Sequence, residues 1–219
     1  MRRDMDNVVC AWNTPDHRAQ LTNTPRSFGG FSFASYPRTV PQDFSKYVAS
    51  TSASNSRRSV VLHGTQGSGK TGLGVCALST FARQGVGSLF QWNVLTAERT
   101  TPVEKDEQVF PSPCWFERWS SILARNRKTD WDEVGWFESL DDVTVLMLDD
   151  VGVETGTPYR EALLLRHLEW AEDDDRRMLI LTLNDPPSKW PKVVGERVAD
   201  RMIEQRRFLA VHVPGESLR

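Results

Sequence analysis

Residues 64–71 have the sequence GTQGSGKT, which matches the pattern G-x4-G-K-S/T in full. Glycines let consecutive backbone N–H groups curve around a phosphate, and the N-terminus of a following helix adds partial positive charge. Lys70 would contact the outer phosphates of a nucleotide, and the Thr71 hydroxyl would bind Mg²⁺. The pattern therefore predicts a loop that binds the phosphates of a nucleotide together with Mg²⁺, formed by Gly64, Thr65, Gln66, Gly67, Ser68, Gly69, Lys70 and Thr71.

Acidic and amide side chains follow two later apolar runs. The run VTVLMLDD ends in Asp149 and Asp150, and the run LILTLND contains Asn184 at its end. We predict that Asp149 holds Mg²⁺, directly or through water, and that Asp150 polarises the attacking water as a general base or an orienting acceptor. Asn184 is placed to hold the same water or to contact the γ-phosphate. Two alternatives stay open: the acids as turn or cap residues, and Asn184 in an ordinary Asn-Asp-Pro turn.

The elements that would position these residues alternate between strands and helices. Apolar runs predict strands at residues 59–63, 87–95, 142–150, 176–185 and 207–213. Predicted helices follow the glycine-rich loop and cover residues 114–128, 158–173 and 192–205. This alternation predicts an α/β fold in which helices cover both faces of a parallel sheet. Gly72 and Gly74 weaken the helix after the loop by about 1 kcal/mol each, which suggests close packing against the sheet.

Length and composition favour one soluble domain. The chain has 219 residues, of which 39% are hydrophobic, and its formal net charge is -2. That charge gives no global attraction to nucleic acid, so a DNA contact would need a local basic patch. Cys10, Cys76 and Cys114 lack the spacing of a disulfide framework or a zinc site. Because no apolar run has the length of a membrane span, we expect a cytoplasmic protein. Residues 1–27 are expected to form a loose arm before a domain at 28–219.

A cluster of tryptophan and basic residues accompanies the predicted helix at 114–128. Such a mixture suits base stacking and phosphate contacts with single-stranded nucleic acid. Large apolar groups at helical spacing more often belong to a core, and we favour that alternative. The cluster consists of Trp115, Trp119, Trp131, Trp136, Arg118, Arg125, Arg127 and Lys128.

The motifs, taken in order, resemble those of a known family. GTQGSGKT, VLMLDDVG, LILTLND, GERVADRM and the terminal GESLR resemble the AAA+ ATPases of the DnaC/IstB type, over roughly residues 28–219. That group includes replicative-helicase loaders and transposition helper ATPases. The resemblance implies an AAA+ P-loop core. The sequence departs from the family pattern in one respect, because no C-terminal lid domain is evident after the last predicted strand. It implies Walker A at Lys70 and Thr71, Walker B at Asp149 and Asp150, sensor 1 at Asn184, an arginine finger at Arg201 and sensor 2 at Arg219.

Arg197 and Arg201 lie four residues apart, on one face of the predicted helix. The resemblance implies a homo-oligomer with ATP at the seam between subunits, where Arg201 would reach the γ-phosphate bound by its neighbour. Arg197 would orient this finger or pair with an acid across the seam. The alternative is that both arginines are solvated and pair loosely with Glu196, Asp200 or Glu204.

The function that the resemblance implies is an oligomeric ATPase that acts on DNA-bound assemblies, most simply a loader of a replicative helicase. Three alternatives stay open: a transposition helper of the IstB type, a non-hydrolytic ATP-dependent scaffold, and a small-molecule or nucleotide kinase that uses the same phosphate-binding loop. The expected partners are further copies of this chain, a helicase or transposase client, and DNA, most simply single-stranded.

Overall fold

A parallel sheet lies at the centre of the protein, in a computed structural model that describes residues 23–28, 31–51, 57–83, 114–126, 133–141, 143–152 and 157–215. Within these residues the strands are β1 (Ser59–His63), β2 (Cys114–Arg118), β3 (Val145–Val151), β4 (Met178–Leu183) and β5 (Phe208–His212). They pair in the order β2-β3-β4-β1-β5, and each pair is parallel. Every residue of β1 and β4 is buried, as expected of strands covered on both faces.

Helices cover both faces of this sheet. Alternate residues of β3 point into two apolar clusters: Leu146 and Leu148 join one, and Val145 and Met147 join the other. No helix of the described ranges is both long enough and apolar enough to span a bilayer. The helices are α1 (Gln42–Thr51), α2 (Lys70–Arg83), α3 (Trp119–Asn126), α4 (Glu133–Ser139), α5 (Pro158–Glu172), α6 (Trp190–Val194) and α7 (Glu196–Ile203), with short 3-10 turns at Arg26–Phe28 and Pro187–Lys189.

The predicted α/β class is confirmed, and four of the predicted strands correspond to β1, β3, β4 and β5. The predicted strand at 87–95 lies outside the described residues. After β5 no lid helix follows within the described chain, which continues to Gly215.

The helix predicted at 114–128 is wrong in its first part. Residues 114–118 form β2, which pairs with β3, and the helix α3 begins only at Trp119. The four-residue spacing of Trp115 and Trp119 resembled one helical stripe. Pairing with a buried neighbouring strand outweighed that local pattern, because the ladder satisfies the backbone of a segment with buried side chains.

The helix predicted at 192–205 is also two elements. It divides into α6 and α7 at Gly195, whose φ of 96° lies in the left-handed region that favours glycine. Because of this break, α7 is a helix separate from α6, and Arg197 and Arg201 both belong to α7.

The two glycines of α2 have different neighbours. A Cβ on Gly74 would lie 2.5 Å from Cε of Met147 on β3, so the predicted packing against the sheet is confirmed there. A Cβ on Gly72 would instead lie 2.7 Å from the ring of Phe31, so the prediction is wrong for Gly72. The absent side chain at position 72 lets the segment before α1 approach the phosphate-binding loop.

Candidate nucleotide-binding site

The glycine-rich loop connects β1 to α2 at the carboxyl edge of the sheet. Gly67 and Gly69 have φ values of 78° and 99°, which side-chain-bearing residues rarely adopt. The Gly64 N–H donates a hydrogen bond of 3.3 Å to the carbonyl of Leu183, which ends β4. The loop therefore has a fixed curvature and is attached to two central strands.

The side chain of Lys70 is hydrogen-bonded to the backbone of this loop. Its Nζ donates to the carbonyl oxygens of Gly64 and Thr65, at 2.9 and 2.8 Å. The residue is buried, and burial lowers the pKa of Lys70, while the carboxylates of Asp150 and Asp149 oppose that shift. A buried ammonium held mainly by neutral carbonyls favours an anion in the loop.

Thr71 and Asp149 are in direct contact. The Thr71 hydroxyl donates to Oδ1 of Asp149 at 2.9 Å, and the Thr182 hydroxyl donates to the same oxygen at 2.8 Å. Asp149 is buried, which raises the pKa of its carboxyl group, while the hydrogen bond from Thr182 opposes the increase. A hydroxyl and a carboxylate at this spacing are oxygen ligands of the kind that Mg²⁺ prefers, so the residues present fit the ion.

Asp150 occupies an irregularity of the sheet. The register between β3 and β4 shifts between Leu148 and Val151, and Asp150 has a φ of 58°, unusual for a residue with a side chain. Such bulges redirect side chains near functional sites. Asp150 is exposed and faces the cavity beside the loop, whereas Asp149 stays buried.

One cavity of about 280 Å³ joins most of the predicted site. It is lined by loop residues, by Asp150 and by Asn184, which follows the end of β4. The structure thus brings Asp150 and Asn184 to the same side of the loop as Lys70. The loop residues in its lining are Gln66, Gly67, Gly69, Lys70 and Thr71.

The remaining loop residues, Gly64, Thr65 and Ser68, do not line this cavity. The Thr65 hydroxyl donates to the carbonyl of Gly215 at 2.8 Å. Ser68 is fully buried, and its Oγ has no hydrogen-bond partner among the described residues. Gly64 links the loop to β4, as described above.

The opposite wall of the cavity comes from a segment that sequence reasoning did not connect with the site. Phe28, Phe31, Tyr36, Pro37 and Arg38 line it. The Tyr36 hydroxyl donates to the carbonyl of Gly69 at 3.1 Å, and Arg38 Nη2 donates to that of Gly67 at 2.9 Å. The sequence feature that could have indicated this wall is the group of aromatic residues in FGGFSFASYPR, residues 28–38.

Comparison with known proteins gives a result at the level of the fold. No family model matches the sequence, and no curated protein matches it. Among solved structures, DnaI is similar with a TM-score of 0.63 and 16% identity, over 89% of this chain and 94% of that chain. The DnaC helicase loader is similar with a TM-score of 0.59 and 15% identity, over 85% and 99%. The replication initiator DnaA, bound to AMPPCP and single-stranded DNA, has a TM-score of 0.57 and 14% identity, over 85% and 50%.

The chain has the fold of the DnaC-type AAA+ domains. The resemblance predicted from the sequence motifs is therefore confirmed for the fold. In this AAA+ fold the cavity lies where β1, β3 and β4 end, with the phosphate-binding loop after β1.

Within the AAA+ fold, Arg201 lies away from its own cavity. Its Nη1 is 3.0 Å from Oε2 of Glu172, and its Nη2 is 3.5 Å from Oε1 of Glu169, both on α5. These partners differ from the neighbours in sequence that were considered as the alternative. Arg197 is exposed on α7, and neither arginine lines the cavity. Arg219, the predicted sensor 2, lies outside the described residues.

The tryptophans of the possible DNA surface belong largely to the core of the AAA+ fold. Trp119 and Trp136 are 3% and 2% exposed and pack in one apolar cluster. Bases cannot stack on side chains buried to this extent, so the core alternative is confirmed for these two. Trp115 is partly buried on β2, and Trp131 lies outside the described residues.

Proposed function

We propose that this protein is an oligomeric ATPase that binds ATP and Mg²⁺ at the loop formed by residues 64–71. The observation that carries the proposal is the shared cavity: Lys70, Thr71, Asp150 and Asn184 line it together, and Thr71 contacts Asp149. Sequence patterns alone could not require residues at the start of α2, on β3 and after β4 to meet. Their meeting supports nucleotide hydrolysis over a glycine-rich turn without a ligand.

ATP is the substrate that this cavity suits. The left-handed glycines and buried Lys70 favour the phosphates, and the side chains of Phe28, Phe31 and Tyr36 offer apolar surface for a planar base. The AMPPCP bound by the similar DnaA structure supports the same choice.

Thr71 and Asp149 would hold Mg²⁺. When bound, the ion neutralises negative charge on the phosphate oxygens. The hydroxyl proton of Thr71 is already used on Oδ1 of Asp149, which leaves the hydroxyl oxygen to act as a ligand. Burial of Asp149 limits competition from water for this carboxylate.

Asp150 and Asn184 would handle the attacking water. The bulge turns Asp150 into the cavity, where its carboxylate can accept a proton or orient the water. The amide of Asn184 can donate to the water or to a γ-phosphate oxygen. Two neighbouring strand ends thereby supply a base and a polar orienting group.

Arg201 would complete the site of a neighbouring subunit. Its planar guanidinium suits charge that spreads over equatorial phosphate oxygens. Its position outside its own cavity supports a role between copies, and Arg197, one turn earlier on α7, would orient it or pair across the seam. We retain Arg219 as a candidate sensor 2.

A replicative helicase is the proposed client, because the DnaC helicase loader has a similar fold. Single-stranded DNA is a proposed ligand, supported by the similar DnaA structure. The proposed ATPase domain comprises residues 28–219, with a preceding arm at 1–27.

A mixing experiment tests the composite site. Asp150→Asn and Arg201→Ala subunits should each hydrolyse ATP poorly, and an equimolar mixture should recover activity because some seams receive both intact residues. Phosphate release is measured at several total protein concentrations, with each variant alone and with wild type as controls.

Recovery that rises more than linearly with protein concentration would support the composite site. A mixture no more active than its components, or a wild type equally active per subunit at high dilution, would contradict it. Transfer of phosphate to a small acceptor would instead indicate a kinase, and tight ATP binding without turnover would indicate a scaffold.

A further inference from the structure

Thr182 on β4 is fully buried, and its hydroxyl connects both acidic residues of β3. Oγ1 lies 2.8 Å from Oδ1 of Asp149 and 2.8 Å from the backbone N of Asp150. A backbone N–H can only donate, so the hydroxyl accepts from Asp150 and gives its own proton to Asp149. The directions of both hydrogen bonds are therefore determined.

The bond to Asp150 replaces a contact of the sheet ladder. The β3–β4 register is regular up to Leu148 and resumes at Val151. The N–H of Asp150 falls in the shifted part and needs another acceptor, which Thr182 provides. A left-handed conformation at a residue with a side chain persists where the surroundings hold it, and this hydrogen bond holds it here.

The bond to Asp149 orients its carboxylate. Thr182 and Thr71 both donate to Oδ1, from β4 and from the start of α2. With two donors on one oxygen, rotation of the carboxylate would break hydrogen bonds in a buried site. Among the described residues, both hydrogen bonds to this carboxylate end on Oδ1, so Oδ2 is available to bind a cation or a water molecule of its hydration shell.

We propose that Thr182 is a positioning residue that sets Asp149 for Mg²⁺ and Asp150 for the attacking water. The inference rests on the proposed function, which it extends from the residues of the cavity to one behind them. The hydroxyl, rather than the bulk of the side chain, carries this role. Groups that hold a metal ligand in place typically change metal affinity or activity about 10–100-fold when they are removed.

The test compares Thr182→Val, which removes the hydroxyl at nearly constant shape, with Thr182→Ser, which keeps it. Thr51→Val is the matched control, because the buried Thr51 hydroxyl donates to the carbonyl of Tyr47 on α1, in another part of the fold. The first measurement is the binding of a fluorescent, non-hydrolysable ATP analogue as a function of Mg²⁺ concentration. The second is kcat and KM for ATP hydrolysis.

We expect Thr182→Val to need about 10–100-fold more Mg²⁺ for half-maximal enhancement of analogue binding, with its magnesium-free affinity within about threefold of wild type. Its kcat should fall by a similar factor while KM at saturating Mg²⁺ changes less than about threefold. Thr182→Ser should restore both quantities to near wild type, and Thr51→Val should leave them unchanged.

A wild-type Mg²⁺ dependence and kcat in Thr182→Val would overturn the inference, as would equal impairment of the valine and serine variants. If circular dichroism shows that Thr182→Val does not fold, Thr182→Ala replaces it in the Mg²⁺ titration. The results that would support or overturn the inference are then the same. Wild type that binds no nucleotide would overturn the proposed function together with this inference. Wild type that binds nucleotide beside an unaffected Thr182→Val would overturn this inference alone.

Discussion

Nη1 of Arg201 lies 3.0 Å from Oε2 of Glu172, so the arginine proposed to act on a neighbouring subunit is paired within its own. Arg207 approaches the same oxygen with its own Nη1, also at 3.0 Å. Two arginines thus share one carboxylate of α5, and only Arg201 belongs to α7. The chain therefore contains a matched control for the proposed finger.

Arg201→Ala should keep ATP binding and lower hydrolysis by about 10³–10⁵-fold, because a neighbour's site loses its guanidinium. Arg207→Ala also removes an ion pair with Glu172, yet it should retain hydrolysis within about threefold. Either change should cost at most about 1 kcal/mol of stability, because both arginines are partly exposed. Phosphate release and analogue binding measure the difference. Equal losses of hydrolysis in the two variants would refute the special role of Arg201.

Lys70→Ala should weaken ATP binding about 10–100-fold, because the loop loses charge-assisted hydrogen bonds to phosphate. Isothermal titration calorimetry with a non-hydrolysable analogue gives the dissociation constants. Lys46→Ala is the control, since Lys46 is exposed on α1. If Lys70→Ala binds ATP as tightly as wild type, the prediction that Lys70 and its loop bind the phosphates is wrong.

Asp150→Asn should preserve ATP binding and lower turnover by about 10²–10⁴-fold, because the amide cannot take a proton from water. Asparagine tolerates the left-handed conformation found at this position, so the fold should persist. Single-turnover phosphate release separates chemistry from binding. The control is Asp43→Asn, on the first turn of α1. Unchanged turnover in Asp150→Asn would exclude Asp150 as the group that activates water.

Stability should fall below about pH 6.5 because of His167. This histidine is fully buried: Trp136 Nε1 donates to its Nε2 at 3.0 Å, and its Nδ1 lies 2.8 Å from the carbonyl of Leu163. Both contacts suit the neutral ring with a proton on Nδ1. Burial lowers the pKa of His167 to about 4, whereas its unfolded value is the ordinary 6.5.

Between these two pKa values the unfolded state binds the proton and the folded state does not, so acid favours unfolding. The resulting loss is about 1.4 kcal/mol per pH unit, roughly 3 kcal/mol over the whole window. Urea unfolding at about pH 7, 6 and 5 measures it through the linear extrapolation. His167→Gln should reduce the pH dependence of the free energy of unfolding. Equal slopes for wild type and His167→Gln would contradict the assignment.

Gly74→Val should destabilise the fold by about 1–3 kcal/mol, because the new side chain would overlap Met147 on β3. Combining it with Met147→Ala makes room, so the double variant should lose less stability than the sum of the two single changes. Free energies of unfolding for the four proteins form the thermodynamic cycle. Strict additivity would show that the two positions do not compete for space.

Local patterns predicted much of this architecture. The apolar runs that form β1, β3, β4 and β5 are short and bounded by turn residues, so these strands could be predicted from the local sequence alone. β2 was mistaken for helix because its strand character depends on pairing with β3, which lies about thirty residues further along the chain. The division between α6 and α7 at Gly195 was missed because a glycine inside a helical pattern does not by itself specify a break.

The sequence by itself determined the phosphate-binding loop and the residues that end the strands beside it, because the chemistry of each motif is contained in a few consecutive residues. Tertiary structure decided what meets them: the wall formed by Phe28, Phe31 and Tyr36, the hydroxyl of Thr182 behind both acids, and the pairing of Arg201 with Glu172. These contacts join segments that are far apart in the chain. Their partners are selected by how the sheet and helices pack, which no local pattern encodes.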